Sequence, residues 1–101
     1  MVYNFGKNKL MGNEMQVSWN KTAEEKFAQL IEKVPPFLQD FARDKVSKRA
    51  EDFAQKENRA EVTEKDMVDA LFAETPLGFH GPMKNDIKEL GIDYTKYGFE
   101  K

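Results

Sequence analysis

Apolar residues recur at helical spacing in the middle of the chain and predict a first helix there. They fall at i, i+4, i+7, i+8 and i+11, which is one face of an α-helix; they are Ala23, Phe27, Leu30, Ile31 and Val34. Asn20 and Thr22 are alternative N-caps for this helix. Pro35 and Pro36 end it, because a proline disfavours a helical residue before it, and both suit the first turn of the next helix.

A second, longer helix of about 20 residues follows the prolines. Its apolar positions predict one broad buried face, made by Phe37, Leu38, Phe41, Ala42, Val46, Ala50, Phe53 and Ala54. Charged residues fill most of the other positions. Asn58 is expected to close the helix in the left-handed conformation, where Asn is the common alternative to Gly.

The third helix has a well-defined start. Thr63 is the predicted cap, Asp66 stands at the third helical position, and Val62 before the cap faces Met67, as in a hydrophobic staple. The helix is expected to end near Glu74, ahead of a turn rich in Pro and Gly.

A short fourth helix and an aromatic tail complete the chain. Pro82 is predicted as the first residue of that helix, and Gly91 as the residue that closes it. The segment from Ile92 to Phe99 is too rich in aromatic residues for a solvated tail, so it is expected to pack on the core or to bind a partner.

These elements predict an all-α fold in a single small domain. Three core helices with a long central helix are joined by the short fourth helix, and both termini are irregular. The predicted division is an irregular N-terminal arm over 1–18, a three-helix core over 19–74, and a loop, short helix and aromatic tail over 75–101. Within the arm, the first five residues are a candidate short strand, and Phe5, Leu10, Met11 and Val17 can dock in extended form.

Composition removes several classes of function. The chain has 101 residues, no Cys, 40% hydrophobic and 34% charged residues and a net charge of −2, which suits one folded domain without disulfides or thiolate metal sites. No apolar run is long enough to span a membrane, and the N-terminus lacks the apolar stretch of a secretory signal. We therefore expect a cytoplasmic protein.

Candidate chemistry is sparse. His80 is the only histidine, and a loop histidine that hydrogen-bonds locally is favoured over a general base, a metal ligand or a haem ligand. The acidic clusters have Lys or Arg nearby, as on a solvated helix face. We expect no catalytic residue, no bound cofactor, no metal site and no independent enzyme activity.

Aromatic side chains mark the best candidates for partner binding. Trp19 is expected to cover the core before the first helix, with a ligand-facing role as the alternative. Two roles are equally open for the aromatic side chains of the tail: they cover the core, or they form a surface that binds a partner. The predicted partner-binding residues are Trp19, Phe79, His80, Tyr94, Tyr97 and Phe99.

The charge distribution favours a protein partner over nucleic acid. The stretch from Trp19 to Ala60 carries nine bases and eight acids, whereas Glu61 to Lys101 carries five bases and nine acids. A dipolar molecule of this kind suits a protein surface better than a polyanionic duplex. The oligomeric state stays open.

Short motifs at the helix boundaries resemble those of a known family. The segments concerned are Trp19 to Ala23, Val34 to Phe37, Glu51 to Ala54, and Val62 with Thr63. They are similar to the small helical domain at the C-terminus of the B subunit of light-independent protochlorophyllide reductase, which also occurs as short stand-alone proteins. Gln39 and Asn58 depart from that family's Arg and Gly. The resemblance implies an accessory protein that docks onto a redox or tetrapyrrole-related protein complex, with no family catalytic residue to carry over.

A weaker likeness is to histone-fold proteins. It is carried by a short helix, a long central helix and the run from Arg59 to Val68, where a Val-Thr-x-x-Asp turn caps the last helix. This likeness implies a homodimeric DNA-binding protein, although the chain lacks the positive excess such proteins display. A small tetrapyrrole-binding carrier that depends on His80 is the second alternative.

Overall fold

Four α-helices and two very short strands make up residues 17–101, the part of the chain that this computed structural model describes. The helices are α1 (Lys21–Glu32), α2 (Pro36–Lys56), α3 (Glu64–Glu74) and α4 (His80–Glu89). Strands β1 (Ser18–Trp19) and β2 (Glu61–Val62) pair in parallel. Two 3-10 turns, Leu77–Phe79 and Tyr94–Tyr97, stand on either side of α4. The predicted single, mostly helical domain with a long central helix is confirmed.

The predicted N-terminal arm, 1–18, lies outside the described residues except for its last two. The candidate strand in its first five residues and the docking of Phe5, Leu10 and Met11 are therefore not described. Val17 packs against the core, and Ser18 belongs to β1.

Local signals fixed the ends of the first two helices. Of the two candidate caps, Asn20 is the one used: its side-chain oxygen accepts a hydrogen bond from the backbone nitrogen of Ala23 at 3.1 Å. Pro36 is the first residue of α2, where its missing N–H costs nothing because that donor has no partner within the helix. Asn58 ends the turn after α2 with a φ of 59°, as its residue type predicted.

A buried charge pair organises the turn between α2 and α3. Arg59 donates two hydrogen bonds to the two carboxylate oxygens of Asp66, at 2.7 and 2.8 Å, and a third to the backbone oxygen of Glu61 at 3.1 Å. Asp66 is only 2% exposed. Two parallel bonds of this kind fix both distance and orientation, so the backbone of the turn is held against the start of α3.

Asp66 also caps α3. Its carboxylate accepts a hydrogen bond from the backbone nitrogen of Thr63 at 2.9 Å, and its own backbone nitrogen donates to the Thr63 hydroxyl at 3.4 Å. Thr63 is therefore the cap, as predicted, and the two bonds form a capping box that was not predicted for this helix. Burial alone would raise the pKa of the Asp66 carboxyl, but the hydrogen bonds from Arg59 and Thr63 outweigh it and lower that pKa below its ordinary value.

The ordered turn positions β2 for pairing with β1. Ser18 donates its backbone N–H to Ala60 at 3.0 Å, and Asn20 donates to Val62 at 2.9 Å. The strand pair therefore joins the start of α1 to the start of α3. Neither strand was predicted, because two residues are too few to show the alternation that identifies a strand.

The core lies where α3 packs against α2 and α1. The helix α3 contributes the largest share of fully buried side chains, and β2, α4 and the tail close its other sides; the cluster includes Phe27, Ile31, Val46, Ala50, Val62, Met67, Val68, Leu71, Ile87 and Tyr94. Ion pairs show that α3 runs antiparallel to α2: Arg59 meets Asp66 near one end, and Arg49 meets Glu74 at 2.7 Å near the other. Residues 36–48 of α2 therefore extend beyond the end of α3.

The prediction of one broad buried face on α2 was wrong for its first turns. Phe37, Leu38 and Phe41 are 84%, 42% and 63% exposed. The side of α2 that faces the core carries Val46, Ala50 and Ala54, which are buried and spaced four residues apart. At 3.6 residues per turn, Phe37 lies about 180° from Val46 around the helix axis and Phe41 about 140°. The apolar residues thus form two stripes, of which one faces the core.

The start of α4 also differs from the prediction. The helix begins at His80, so Pro82 is its third residue and not its first. The first four N–H groups of a helix have no partner within it, so a proline at the third position loses no intrahelical hydrogen bond. Gly91 closes the helix as predicted, with a φ of 79°.

Replacing Asp66 with Ala should destabilise the protein strongly. We expect a loss of roughly 2 to 4 kcal/mol in the free energy of unfolding, from the lost cap and the lost charge-assisted hydrogen bonds. Asp69→Ala in the same helix is the matched control: its ion pair with Lys65 is an i,i+4 surface pair and should contribute no more than about 0.5 kcal/mol. Urea unfolding followed by circular dichroism measures both. Equal losses would show that Arg59–Asp66 is not the dominant contact.

The lowered pKa of Asp66 predicts acid sensitivity. Its stabilising contribution is complete above the ordinary carboxyl pKa of about 3.9 and is lost as pH falls through the lower value of the folded state. Asp66→Asn should therefore flatten the decline in unfolding free energy between about pH 5 and pH 2. A residual slope should persist from Glu64 and Asp93, whose pKa values are also lowered. An unchanged slope would contradict the assignment.

Candidate interaction site

The aromatic tail folds back onto α3. After the turn at Gly91, Ile92 and Tyr94 are buried at 3% and 1% exposure. Asp93 caps the 3-10 turn Tyr94–Tyr97 by accepting a hydrogen bond from the backbone nitrogen of Thr95 at 3.0 Å. Gly98 ends that turn with a φ of 97°, which a residue with a side chain rarely adopts.

Glu64 holds the tail to two helices. Its carboxylate accepts a hydrogen bond from the Tyr97 hydroxyl at 2.7 Å and from the Lys26 amine of α1 at 3.0 Å. Partial burial would raise the pKa of Glu64, but these two hydrogen bonds lower it overall. Burial, followed by the bond to Glu64, raises the pKa of the Tyr97 hydroxyl, so Tyr97 stays a donor. One carboxylate therefore connects α1, α3 and the tail.

An open groove of about 400 Å³ lies between α3, α4 and the tail. Its aromatic floor is the stacked pair Phe72 and Phe99, whose ring centroids are 4.0 Å apart and nearly parallel. The His80 ring lies nearly perpendicular to the Phe72 ring, with 5.2 Å between the ring centroids. The centroid of the Tyr94 ring lies 5.7 Å from that of Phe72. The residues that line the groove are Asp69, Phe72, Ala73, His80, Lys84, Phe99 and Glu100.

The polar groups of the groove are already oriented. The Nε2 atom of His80 lies 2.9 Å from the backbone oxygen of Thr75. A carbonyl only accepts, so Nε2 is the donor in this contact. The amine of Lys84 lies 3.3 Å from the backbone oxygen of Lys101 and 5.9 Å from the ring centre of Tyr94. The groove thus offers an aromatic floor with a cation and carboxylates on its walls.

Two of the predicted binding residues, His80 and Phe99, converge on this groove. Phe79 stands on the 3-10 turn before His80 and is 64% exposed, beside Leu77 at 83%. Tyr94 and Tyr97 pack in or against the core. The tail therefore covers the core on one side and contributes to the groove through Phe99.

Trp19 has a separate role. Its ring stacks on Phe27 with 4.9 Å between centroids, and its indole nitrogen donates to Glu51 at 2.9 Å. It does not line the groove. Trp19 therefore covers the surface where α1 and α2 pack together.

Several groove residues were missed in the sequence. His80 and Lys84 stand four apart, and Asp69, Phe72 and Ala73 share one face of α3, so helical spacing alone groups each set. Helical periodicity does not show that α3, α4 and the tail meet, because that contact depends on the tertiary structure.

Within residues 17–101, no group of three or more His, Asp or Glu side chains is arranged to hold a metal ion. Across the same residues, none of the helices combines the length and the apolar character that a membrane span needs.

The described residues form a small, mostly helical domain with an open aromatic groove. The chain belongs to the family described as "Protein of unknown function (DUF2621)", whose model matches residues 6–99. No curated protein and no solved structure matches it.

The family match corrects the two resemblances inferred from the sequence. Neither the B-subunit domain of protochlorophyllide reductase nor the histone fold is supported, because the matching family is a different one. The motifs that suggested them are a proline-started helix and a Val-Thr cap. Such residues specify where helices begin and end in many folds, so they do not identify a family.

Two tyrosines of one 3-10 turn should respond oppositely to the same substitution. The Tyr94 hydroxyl is buried with no hydrogen-bond partner among the described residues, so Tyr94→Phe should raise the free energy of unfolding by about 1 kcal/mol. Tyr97→Phe loses the bond to Glu64 and should lower it by roughly 1 to 3 kcal/mol. Thermal and urea unfolding measure both. Destabilisation by Tyr94→Phe would show that its hydroxyl is satisfied in solution.

Proposed function

We propose that this protein is a non-catalytic interaction module that docks onto another protein through the groove and the adjoining 3-10 turn, Leu77–Phe79. The observation that carries the proposal is the combination of an open aromatic groove with exposed large apolar side chains on the turn that leads into it. Aromatic anchors in and beside a pocket are typical of the centres of protein interfaces.

The exposure of Leu77 and Phe79 supports this surface. They are 83% and 64% exposed, although the domain buries most of its other large apolar side chains. Each such side chain gains roughly 1.5 to 3 kcal/mol when it is moved out of water. A partner that covers the turn therefore obtains a favourable contribution that the isolated domain does not use.

The charges around the groove indicate the character of the partner. The chain from Glu61 onward carries nine acids against five bases, and the groove itself is lined by two acids, Asp69 and Glu100, against one base, Lys84. Complementary potentials favour a basic surface opposite this region. We expect the partner to present an apolar or aromatic side chain surrounded by Lys or Arg.

The contacts of His80 hold its ring in a fixed orientation at the groove. Its Nε2 hydrogen is donated to the backbone oxygen of Thr75 at 2.9 Å. The ring also lies nearly perpendicular to the Phe72 ring, with 5.2 Å between the ring centroids. These contacts support a role for His80 in shaping the groove.

Removal of the two exposed side chains of the turn should weaken partner binding without unfolding the domain. The test compares tagged wild-type protein with L77A/F79A by affinity capture and quantitative mass spectrometry, followed by calorimetry with the purified partner. We expect Kd to rise at least tenfold, which is about 1.4 kcal/mol. The matched control is D52A/K56A, which removes an exposed ion pair near the C-terminal end of α2.

Circular dichroism confirms that each variant is folded. Equal recovery and equal Kd for wild type and L77A/F79A would rule out the proposed surface. Turnover of a substrate by the purified protein alone would rule out the non-catalytic assignment.

A further inference from the structure

A second apolar surface, none of whose residues lines the groove, lies on the part of α2 that extends beyond α3. Phe37 and Phe41, four residues apart, are 84% and 63% exposed and point away from the core side set by Val46. Lys45 continues the same stripe, with its amine 5.7 Å from the ring centre of Phe41. We call Phe37, Phe41 and Lys45 the α2 stripe.

The spacing of the α2 stripe is self-complementary. Phe37 and Lys45 each stand four residues from Phe41, one on either side. If two such helices pack antiparallel about a twofold axis beside Phe41, the Phe41 rings of the two copies meet. Phe37 of each copy then lies opposite Lys45 of the other. We propose that a second copy of this chain covers the stripe in this way.

The contacts made by this arrangement suit both kinds of residue. Two aromatic rings at the axis bury the surface that Phe41 now exposes. Lys45 contacts an aromatic face within its own helix, and the antiparallel register brings the amine of one copy to the Phe37 ring of the other. Its hydrocarbon stem covers apolar surface while the charge stays near water.

The charges beside the α2 stripe do not oppose the pairing. Asp40 is paired with Arg43 at 2.8 Å, and Asp44 with Lys48 at 3.3 Å, each within the same helix. Two copies therefore bring together locally neutral flanks.

The available area sets the strength of the dimer. A phenylalanine buries roughly 150 to 250 Å² when fully covered, so the exposed parts of Phe37 and Phe41 supply about 300 Å² per copy. Together with Leu38, which is 42% exposed, and the stem of Lys45, the interface is at the low end of specific ones. We expect a dimer that dissociates on dilution through the micromolar range. Symmetric pairs of this type are the commonest oligomers.

Sedimentation equilibrium of the full chain over about 1 to 300 µM tests the proposal. Wild type and D52A/K56A should shift from monomer to dimer, whereas F37A/F41A should need at least tenfold higher concentration. Both phenylalanines are exposed, so F37A/F41A should keep its fold, which circular dichroism checks. A wild type that stays monomeric, or an F37A/F41A variant that dimerises equally well, overturns the proposal.

Cysteine cross-linking tests the register, because the chain has no natural cysteine. Mixing the F37C and K45C variants under mild oxidation should give a covalent dimer across the two chains, whereas F37C alone should not cross-link. F41C should cross-link to itself and D52C should not. Cross-linking of F37C to itself as fast as to K45C overturns the antiparallel register.

The same set of variants separates this inference from the proposed function. L77A/F79A should leave dimerisation unchanged, and F37A/F41A should leave capture of the partner unchanged. If wild type is monomeric and F37A/F41A loses the captured partner, the stripe serves that partner and a second copy does not cover it.

Discussion

The bidentate contact between Arg59 and Asp66 is the constraint on which the rest of the described structure depends. It fixes the turn after α2, and the same carboxylate caps α3, so the direction of α3 relative to α2 is set at one residue. A buried carboxylate is costly unless it is fully hydrogen-bonded, and here backbone and side-chain donors meet that need. Because the turn is fixed, β2 lies where β1 can pair with it.

The helix α3 contacts α1, α2 and the tail. Glu64 in its first turn binds both α1 and the tail, its buried face forms the centre of the core, and Phe72 near its end provides the groove floor. The groove is therefore not an independent feature: its floor, its histidine wall and its tail wall are all positioned by the packing of this one helix. The exposed turn Leu77–Phe79 follows directly from where α3 ends.

Features encoded within a few residues were predictable from the sequence, and those that depend on the meeting of distant segments were not. The proline start of α2, the left-handed Asn58 and the Thr63 cap of α3 are local, and the structure confirms them. Arg59 was not recognised as the partner of Asp66, because no periodic pattern links a turn residue to a cap. Phe72 and Phe99 likewise belong to segments that only the folded chain brings together. The exposed Phe37 and Phe41 show a further limit: composition gives the number of apolar residues, but the rotation of the helix decides which of them are buried.

The parallel strand pair has a consequence for the order of folding. It joins Ser18 to Glu61, so its formation closes a loop that contains both α1 and α2. Two residues on each side provide few hydrogen bonds against the entropy of closing so long a loop. The α1–α2 hairpin, whose contacts are close in sequence, forms without that cost. We therefore expect the strands to pair late in folding, after the helices have packed.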